Sequence, residues 1–124
     1  MKFTTILTSM PPPLSACYNN IAGRGRVKSK KYKAWIVEQM YADQMLRCYS
    51  DPLIKVPVKL VVAIYKPDRR KRDLDNLWKP ICDLMVSCKI LEDDSLIHDE
   101  RMFWTPHSHR PVVINIETVA DPVL

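Results

Sequence analysis

Apolar positions recur along this chain with two different periods, and the changes between them mark out its elements. The run Leu60-Val61-Val62-Ala63-Ile64 lies inside a longer apolar stretch from Val56 to Tyr65. A run this unbroken predicts a strand buried on both faces, in the middle of a sheet. Lys2 to Thr8, rich in Thr and Ile, reads as a first strand, which Pro11-Pro12-Pro13 stops. Leu96 to Trp104 and Val112 to Val119 read as two final strands, joined by the turn His107 to Arg110.

Between these strands the period becomes helical. Leu74, Leu77, Trp78, Ile81 and Met85 stand at i, i+3, i+4, i+7 and i+11, one stripe of a helix. An earlier helix runs from about Lys30 to Cys48, capped by Ser29 and ended by Asp51-Pro52. Its Trp35, Ile36, Met40, Met45 and Leu46 recur near helical spacing. Ser15 to Lys28, which holds both glycines, reads as a long loop, and a loop of that length suggests a functional role. The order β-α-β-α-β-β predicts an α+β fold with two helices packed on a mixed sheet.

Pro80 complicates the second helix, because it removes a backbone bond and disfavours helical geometry at Lys79. Either the helix kinks there, or its regular part starts near Leu77 with Asn76 as a cap. Both options leave Asp73 and Asp75 at or just before a helix N-terminus, where the dipole favours negative charge.

With 124 residues the chain fits one domain, residues 1–124, with a single core. Its cysteines, Cys17, Cys48, Cys82 and Cys88, show no C-x-x-C spacing, which argues against a structural zinc. No secretion signal is evident and no segment approaches the roughly 20 apolar residues that span a bilayer. Reduced thiols in a cytoplasmic protein are expected. Cys82, Trp35, Trp78 and Trp104 read as core residues.

Charge changes the picture most. The net charge is +5, and from Asn19 to Val37 there are six cations (Arg24, Arg26, Lys28, Lys30, Lys31, Lys33) and no acid. Five more lie between Lys66 and Arg72, opposed only by Asp68, and run straight into Asp73-Leu74-Asp75-Asn76. The acids gather later, at Asp83, Glu92, Asp93, Asp94, Asp99 and Glu100. Enzymes that cut phosphodiesters need both charge types in one place. Cations hold the polyanion by displacing its counterions, and carboxylates hold the hard divalent cation that activates water.

Taken alone, Asp73 to Asn76 is a helix cap and Asp93-Asp94-Ser95 an exposed turn. Together they supply three or four oxygen ligands, as magnesium sites do. If the backbone is extended, Asp73 and Asp75 point to the same side. Lys79 follows Asp75 by one helical turn, placed to contact the scissile phosphate or stabilise the leaving oxygen. Asp83 sits a turn deeper, and a salt bridge to Lys79 is its expected work. His107-x-His109, between prolines, reads as a surface or DNA-contact pair rather than a metal pair. His98 and Asp99 either extend the acidic site or occupy a strand edge.

The run Pro67-Asp68-Arg69-Arg70-Lys71-Arg72-Asp73-Leu74-Asp75-Asn76-Leu77-x-Lys79, followed by Asp93-Asp94, resembles the RusA family of Holliday junction resolvases, the crossover junction endodeoxyribonucleases. The resemblance extends to Pro11-Pro12, the basic Gly-containing loop around Gly23 to Val27, and the order of elements. It implies a single RusA-like endonuclease domain, homodimeric and dependent on magnesium, for which manganese can substitute. Such an enzyme nicks symmetrically related strands of four-way DNA junctions, often in phage or prophage recombination. The family's catalytic, metal-binding acids map onto Asp73, Asp75 and Asp94, and its motif lysine onto Lys79. Arg69, Arg70, Lys71 and Arg72, with Arg24, Arg26, Lys28, Lys30 and Lys31, are then the expected DNA-binding set. A catalytically silent DNA-binding module, or a nuclease for other branched DNA, remains the alternative.

Overall fold

The computed structural model describes residues 2–42, 52–66, 68, 71–106 and 110–119. In chain order they form β1 (Lys2–Leu7), α1 (Leu14–Cys17), β2 (Tyr18–Ile21), β3 (Gly25–Lys28), α2 (Lys30–Met40), β4 (Val58–Tyr65) and α3 (Asp75–Ser87). A 3-10 turn (Asp94–Leu96), β5 (Ile97–Thr105) and β6 (Val112–Thr118) complete the order. Four strands pair as β1-β6-β4-β5, with β4 parallel to β5 and antiparallel to β6. Parallel neighbours need a crossover connection, and α3 is that crossover. The class is the expected α+β on a mixed sheet, with three helices among the described residues where two were expected.

β4 is central, as its apolar run implied, but only one of its faces is dry. Val58, Leu60, Val62 and Ile64 are buried, while Lys59, Val61 and Ala63 alternate with them and stay half-buried. The buried set joins Val112, Ile114 and Ile116 of β6 and the inward side chains of the helices in one apolar cluster. Each fully buried Leu, Ile or Met there contributes about 1.5–3 kcal/mol. The expectation of two buried faces fails because Val61 and Ala63 are small apolar residues on an outward face, which a sequence run cannot tell from inward ones.

The stretch expected as a long loop is mostly folded. β2 and β3 pair antiparallel, Tyr18 opposite Lys28 and Ile21 opposite Gly25, as a separate two-stranded ribbon. Gly23 and Gly25 take φ of +79° and +71°, the left-handed region that lets the chain reverse in so short a space. Ser29 then caps α2 as expected, its hydroxyl accepting from the Tyr32 N–H at 3.2 Å and donating to the Ala16 carbonyl at 2.7 Å. α2 ends at Met40, where the Tyr41 N–H returns to the Val37 carbonyl at 3.2 Å. Met45, Leu46 and Cys48 lie outside the described residues. Gln39, fully buried, accepts from the Thr8 N–H at 2.8 Å and donates to the Thr8 hydroxyl at 2.9 Å, pinning α2 to the end of β1.

α3 starts at Asp75, not near Leu77, and contains Pro80. Its N-cap is Leu74 with no side-chain cap bond, so Asn76 is not the cap. Backbone bonds from the Asn76 N–H to the Asp73 carbonyl (3.2 Å) and from the Leu77 N–H to the Leu74 carbonyl (2.9 Å) wind the first turn instead. The other end closes with two backbone bonds, Ile90 N–H to Met85 carbonyl at 3.0 Å and Lys89 N–H to Val86 carbonyl at 3.1 Å. This paired closure places Lys89 at φ +61°, a position where glycine is preferred.

Candidate active site

The site is built where β4 hands the chain to α3. Across the intervening basic turn, the Arg72 guanidinium grips the Asp68 carboxylate with both terminal nitrogens, at 2.6 and 3.1 Å. This fork joins residues 68 and 72 just before the acidic motif. Lys71 is exposed beside it, and Arg69 and Arg70 lie outside the described residues.

Asp73 and Asp75 do not share a side. Asp73 lines a cleft of about 300 Å³ with Met10, Pro13, Lys71, Arg72, Asn76 and Leu77. Asp75 lines another, of about 430 Å³, with Leu74, Trp78, Glu100 and Met102. The condition for a shared side was extended backbone, and Leu74 between them is helical, at φ −57° and ψ −38°. On a helix, residues two apart diverge. Among the described residues neither carboxylate has a hydrogen-bond or ion-pair partner, so the capping role that their residue types permit is unused.

Lys79 is the centre of the charged network. Its ammonium lies 3.0 Å from Asp94 Oδ2 and 3.1 Å from Asp83 Oδ1. The bond to Asp94, then that to Asp83, raises the lysine well above its ordinary value, so it is cationic at any physiological pH. The expected Lys79–Asp83 bridge is present. The downstream acidic pair divides its work: Asp93 accepts from the Ser95 N–H at 3.2 Å and from the Ser95 hydroxyl, which caps the 3-10 turn. That hydroxyl bond, followed by the backbone one, holds the Asp93 carboxyl below its ordinary value. Asp94 is left to face Lys79.

Two parts of this site were not read from the sequence as site residues. Glu100 shares the Asp75 cleft because β5 pairs in parallel with β4, which sets Glu100 opposite the inward-facing Leu60. Its neighbours Asp99 and Arg101 fall opposite Lys59 and Val61, whose side chains take the other face. Tyr18 and Tyr32 donate their hydroxyls to Asp83 Oδ2 at 3.2 and 3.4 Å. No local sequence signal announces either arrangement. His98 and Asp99 are exposed on the edge strand, and His107 and His109 lie outside the described residues.

By type, the expected donors suit magnesium, since carboxylate oxygens are its preferred ligands. The cation that local carboxylates hold in this structure is the Lys79 ammonium, between Asp83 and Asp94. Among the described residues, however, no three ligating side chains stand close enough together to hold one ion. Ligation by Asp94 therefore competes with its bond to Lys79.

The expected DNA-contact cations cluster on one stretch. Arg24, Arg26 and Lys28 belong to the ribbon and Lys30 and Lys31 to the first turn of α2, all exposed. The Arg26 guanidinium stacks 4.2 Å from the centre of the Tyr18 ring, and the Lys28 ammonium lies 5.9 Å from that of Tyr32. Lys30 and Lys31 crowd the positive end of the α2 dipole with no acid in that turn, a repulsion that a bound anion relieves.

Residues 13–117, which include the ribbon, the acidic motif and Lys79, match the protein family Endodeoxyribonuclease RusA. The chain belongs to that family. Among RusA relatives, it is 29% identical over 110 residues to the crossover junction endodeoxyribonuclease RusA of Escherichia coli strain K12, covering 86% of each chain. The enzyme of the same name from Shigella sonnei is 28% identical over the same share. That of Enterobacteria phage 82 is 29% identical over 100 residues, covering 77% of this chain and 78% of the phage protein. The RusA match thus spans every element from the ribbon to β6 and leaves only β1 and the first prolines before it.

Proposed function

We propose that this chain is a crossover junction endodeoxyribonuclease that resolves four-way DNA junctions by paired symmetric nicks. The observation that carries the reading is family membership over residues 13–117, with the Asp-x-Asp-Asn-x-x-Lys motif at the start of a helix flanked by exposed cations. By resemblance to the family, Asp73, Asp75 and Asp94 are the residues that would hold magnesium, or manganese in its place, although Asp73 and Asp75 line separate clefts in this structure. The metal supplies an activated water and positive charge at the scissile phosphate. Lys79 stabilises negative charge on the phosphate once its ammonium is shared with substrate. Arg24, Arg26, Lys28, Lys30, Lys31, Arg69, Arg70 and Lys71 hold the DNA backbone, largely without reading sequence; Arg72 is already joined to Asp68.

A single domain, residues 1–124, acts in this reading as one half of a two-fold homodimer, so that each subunit addresses one of two equivalent strands. A cytoplasmic setting suits recombination. Among the described residues no helix is long and apolar enough to cross a membrane.

One observation favours the second reading, a silent DNA-binding module: Asp94 is held by Lys79 rather than left open. Cleavage of a synthetic mobile four-way junction in magnesium decides between them, with linear duplex and the Asp75→Asn variant as controls. Paired symmetric nicks are expected from the wild type, and a loss of about a hundredfold or more in the variant with junction binding retained. Tight binding without nicks would instead favour the silent module or a nuclease for other branched DNA, which a flap substrate run beside the junction separates.

A further inference from the structure

Asp83 is the acid beside Lys79 to which the proposed chemistry gives no part, and it is the better fixed of the lysine's two partners. Its side chain is 21% exposed, against 41% for Asp94. One oxygen faces the Lys79 ammonium at 3.1 Å, and the other accepts the Tyr18 and Tyr32 hydroxyls at 3.2 and 3.4 Å. Both tyrosines are themselves anchored. Tyr32 is fully buried, with Trp35 stacked at 6.3 Å and the Tyr18 ring meeting it edge-on at 5.6 Å. No such support is given to Asp94, at the start of an exposed 3-10 turn.

A lysine side chain has four flexible bonds, so one partner as exposed as Asp94 does not by itself fix where its ammonium sits. Asp83 is less exposed, and its second oxygen accepts from two tyrosine hydroxyls, so it limits the lysine more. Asp94 has a competing duty as an expected metal ligand, whereas Asp83, a full turn further along α3, is free to keep hold of the lysine. We infer that Asp83, fixed by the Tyr18 and Tyr32 hydroxyls, positions the Lys79 ammonium for junction cleavage. The inference rests on the resolvase reading of the site for its link to turnover. It also ties the lysine to the DNA-holding ribbon, because Arg26 and Lys28 lie over the rings of the same two tyrosines.

The test is Asp83→Asn, which keeps a hydrogen-bond acceptor for the tyrosines and removes the charge that holds the lysine. Three readouts are taken: single-turnover cleavage of a four-way junction, junction affinity without divalent metal, and the ¹H–¹⁵N signal of the Lys79 ammonium, assigned by its absence in Lys79→Ala. The expected result is a fall of about 10- to 100-fold in the cleavage rate, the size of effect that misplacing a reacting group produces. Junction affinity should stay within about twofold, and the ammonium signal should broaden or vanish. An unchanged rate together with an intact signal would overturn the positioning role, as would a rate loss explained wholly by weaker binding. If the wild type does not nick junctions yet its ammonium signal is lost in the variant, the resolvase reading fails while the Asp83–Lys79 hold stands. Should Asp83→Asn not fold, Tyr18→Phe carries the same test, since it keeps the ring beneath Arg26.

Discussion

The start of α3, through Lys79, and its last two turns differ in what they expose. Asp75 and Lys79 are exposed at one end, beside clefts lined by charged side chains. At the other, Ile81, Cys82, Leu84 and Met85 are buried against the sheet. The chemical end exposes Asp75 and Lys79, buries Leu77, and takes its helical start from backbone bonds alone. The structural end, Asp83 apart, spends its side chains on packing and closes with a paired set of backbone bonds around Lys89. One element can therefore carry charges that would destabilise a free helix, because its far half is welded to the core. Helices this short are marginal without such packing.

The largest effect expected from this contrast is a double dissociation. Leu84→Ala should cost about 2–5 kcal/mol of stability, the range for emptying a buried leucine site. Cleavage by the folded protein at low temperature should survive. Asp75→Asn should do the reverse, with its melting temperature nearly unchanged. Denaturant melts beside junction assays check both, and a large stability loss in Asp75→Asn would mean that the chemical end also holds the fold.

The next effect is alkaline. Burial pushes the Cys17 thiol up from 9.0 to about 11 and the Cys82 thiol up to about 12. Tyr18 and Tyr32 are raised above 10.0, by burial first and by Asp83 after it, and Lys79 above 10.5 by its two carboxylates. In every case the folded state keeps its proton where the unfolded chain has released it. Stability is therefore fully present below about pH 9 and falls as pH rises beyond the ordinary cysteine value of 9.0. Each buried thiol should cost on the order of 1 kcal/mol one pH unit above that point. Thermal melts across this range check it; a flat profile from pH 8 to 10 would contradict the burial of these groups.

The smallest effect lies at the closure itself. Lys89→Gly removes a side chain from left-handed backbone and should add up to about 1 kcal/mol, read as a small rise in melting temperature with cleavage unchanged. A fall would show that the lysine stem contributes packing worth more than the strain.

How much of this was legible follows from what each feature depends on. β4, β5, β6 and the stripe of α3 depend on periodicity within one segment, and their expected spans differ from the observed ones by a few residues at most. The ribbon was missed because its strands are four residues each and mostly polar, with no alternation to detect. The Lys79–Asp83 bridge was legible because a one-turn spacing fixes it. Glu100 at the Asp75 cleft and the two tyrosines on Asp83 were not, because they depend on which strands pair and how α2 is docked. The separate clefts of Asp73 and Asp75 turned on one residue, Leu74, adopting helical rather than extended backbone.

The fork between Arg72 and Asp68 bears on how strongly the basic turn can pull on a nucleic acid. Binding a polyanion gains free energy chiefly by setting loose the small ions condensed on it, one share for each phosphate neutralised. A guanidinium that carries its own carboxylate as a built-in counterion sets few of them loose. Arg72 therefore belongs to the framework of the turn, and a simple tally of its cations overstates the salt sensitivity of the whole.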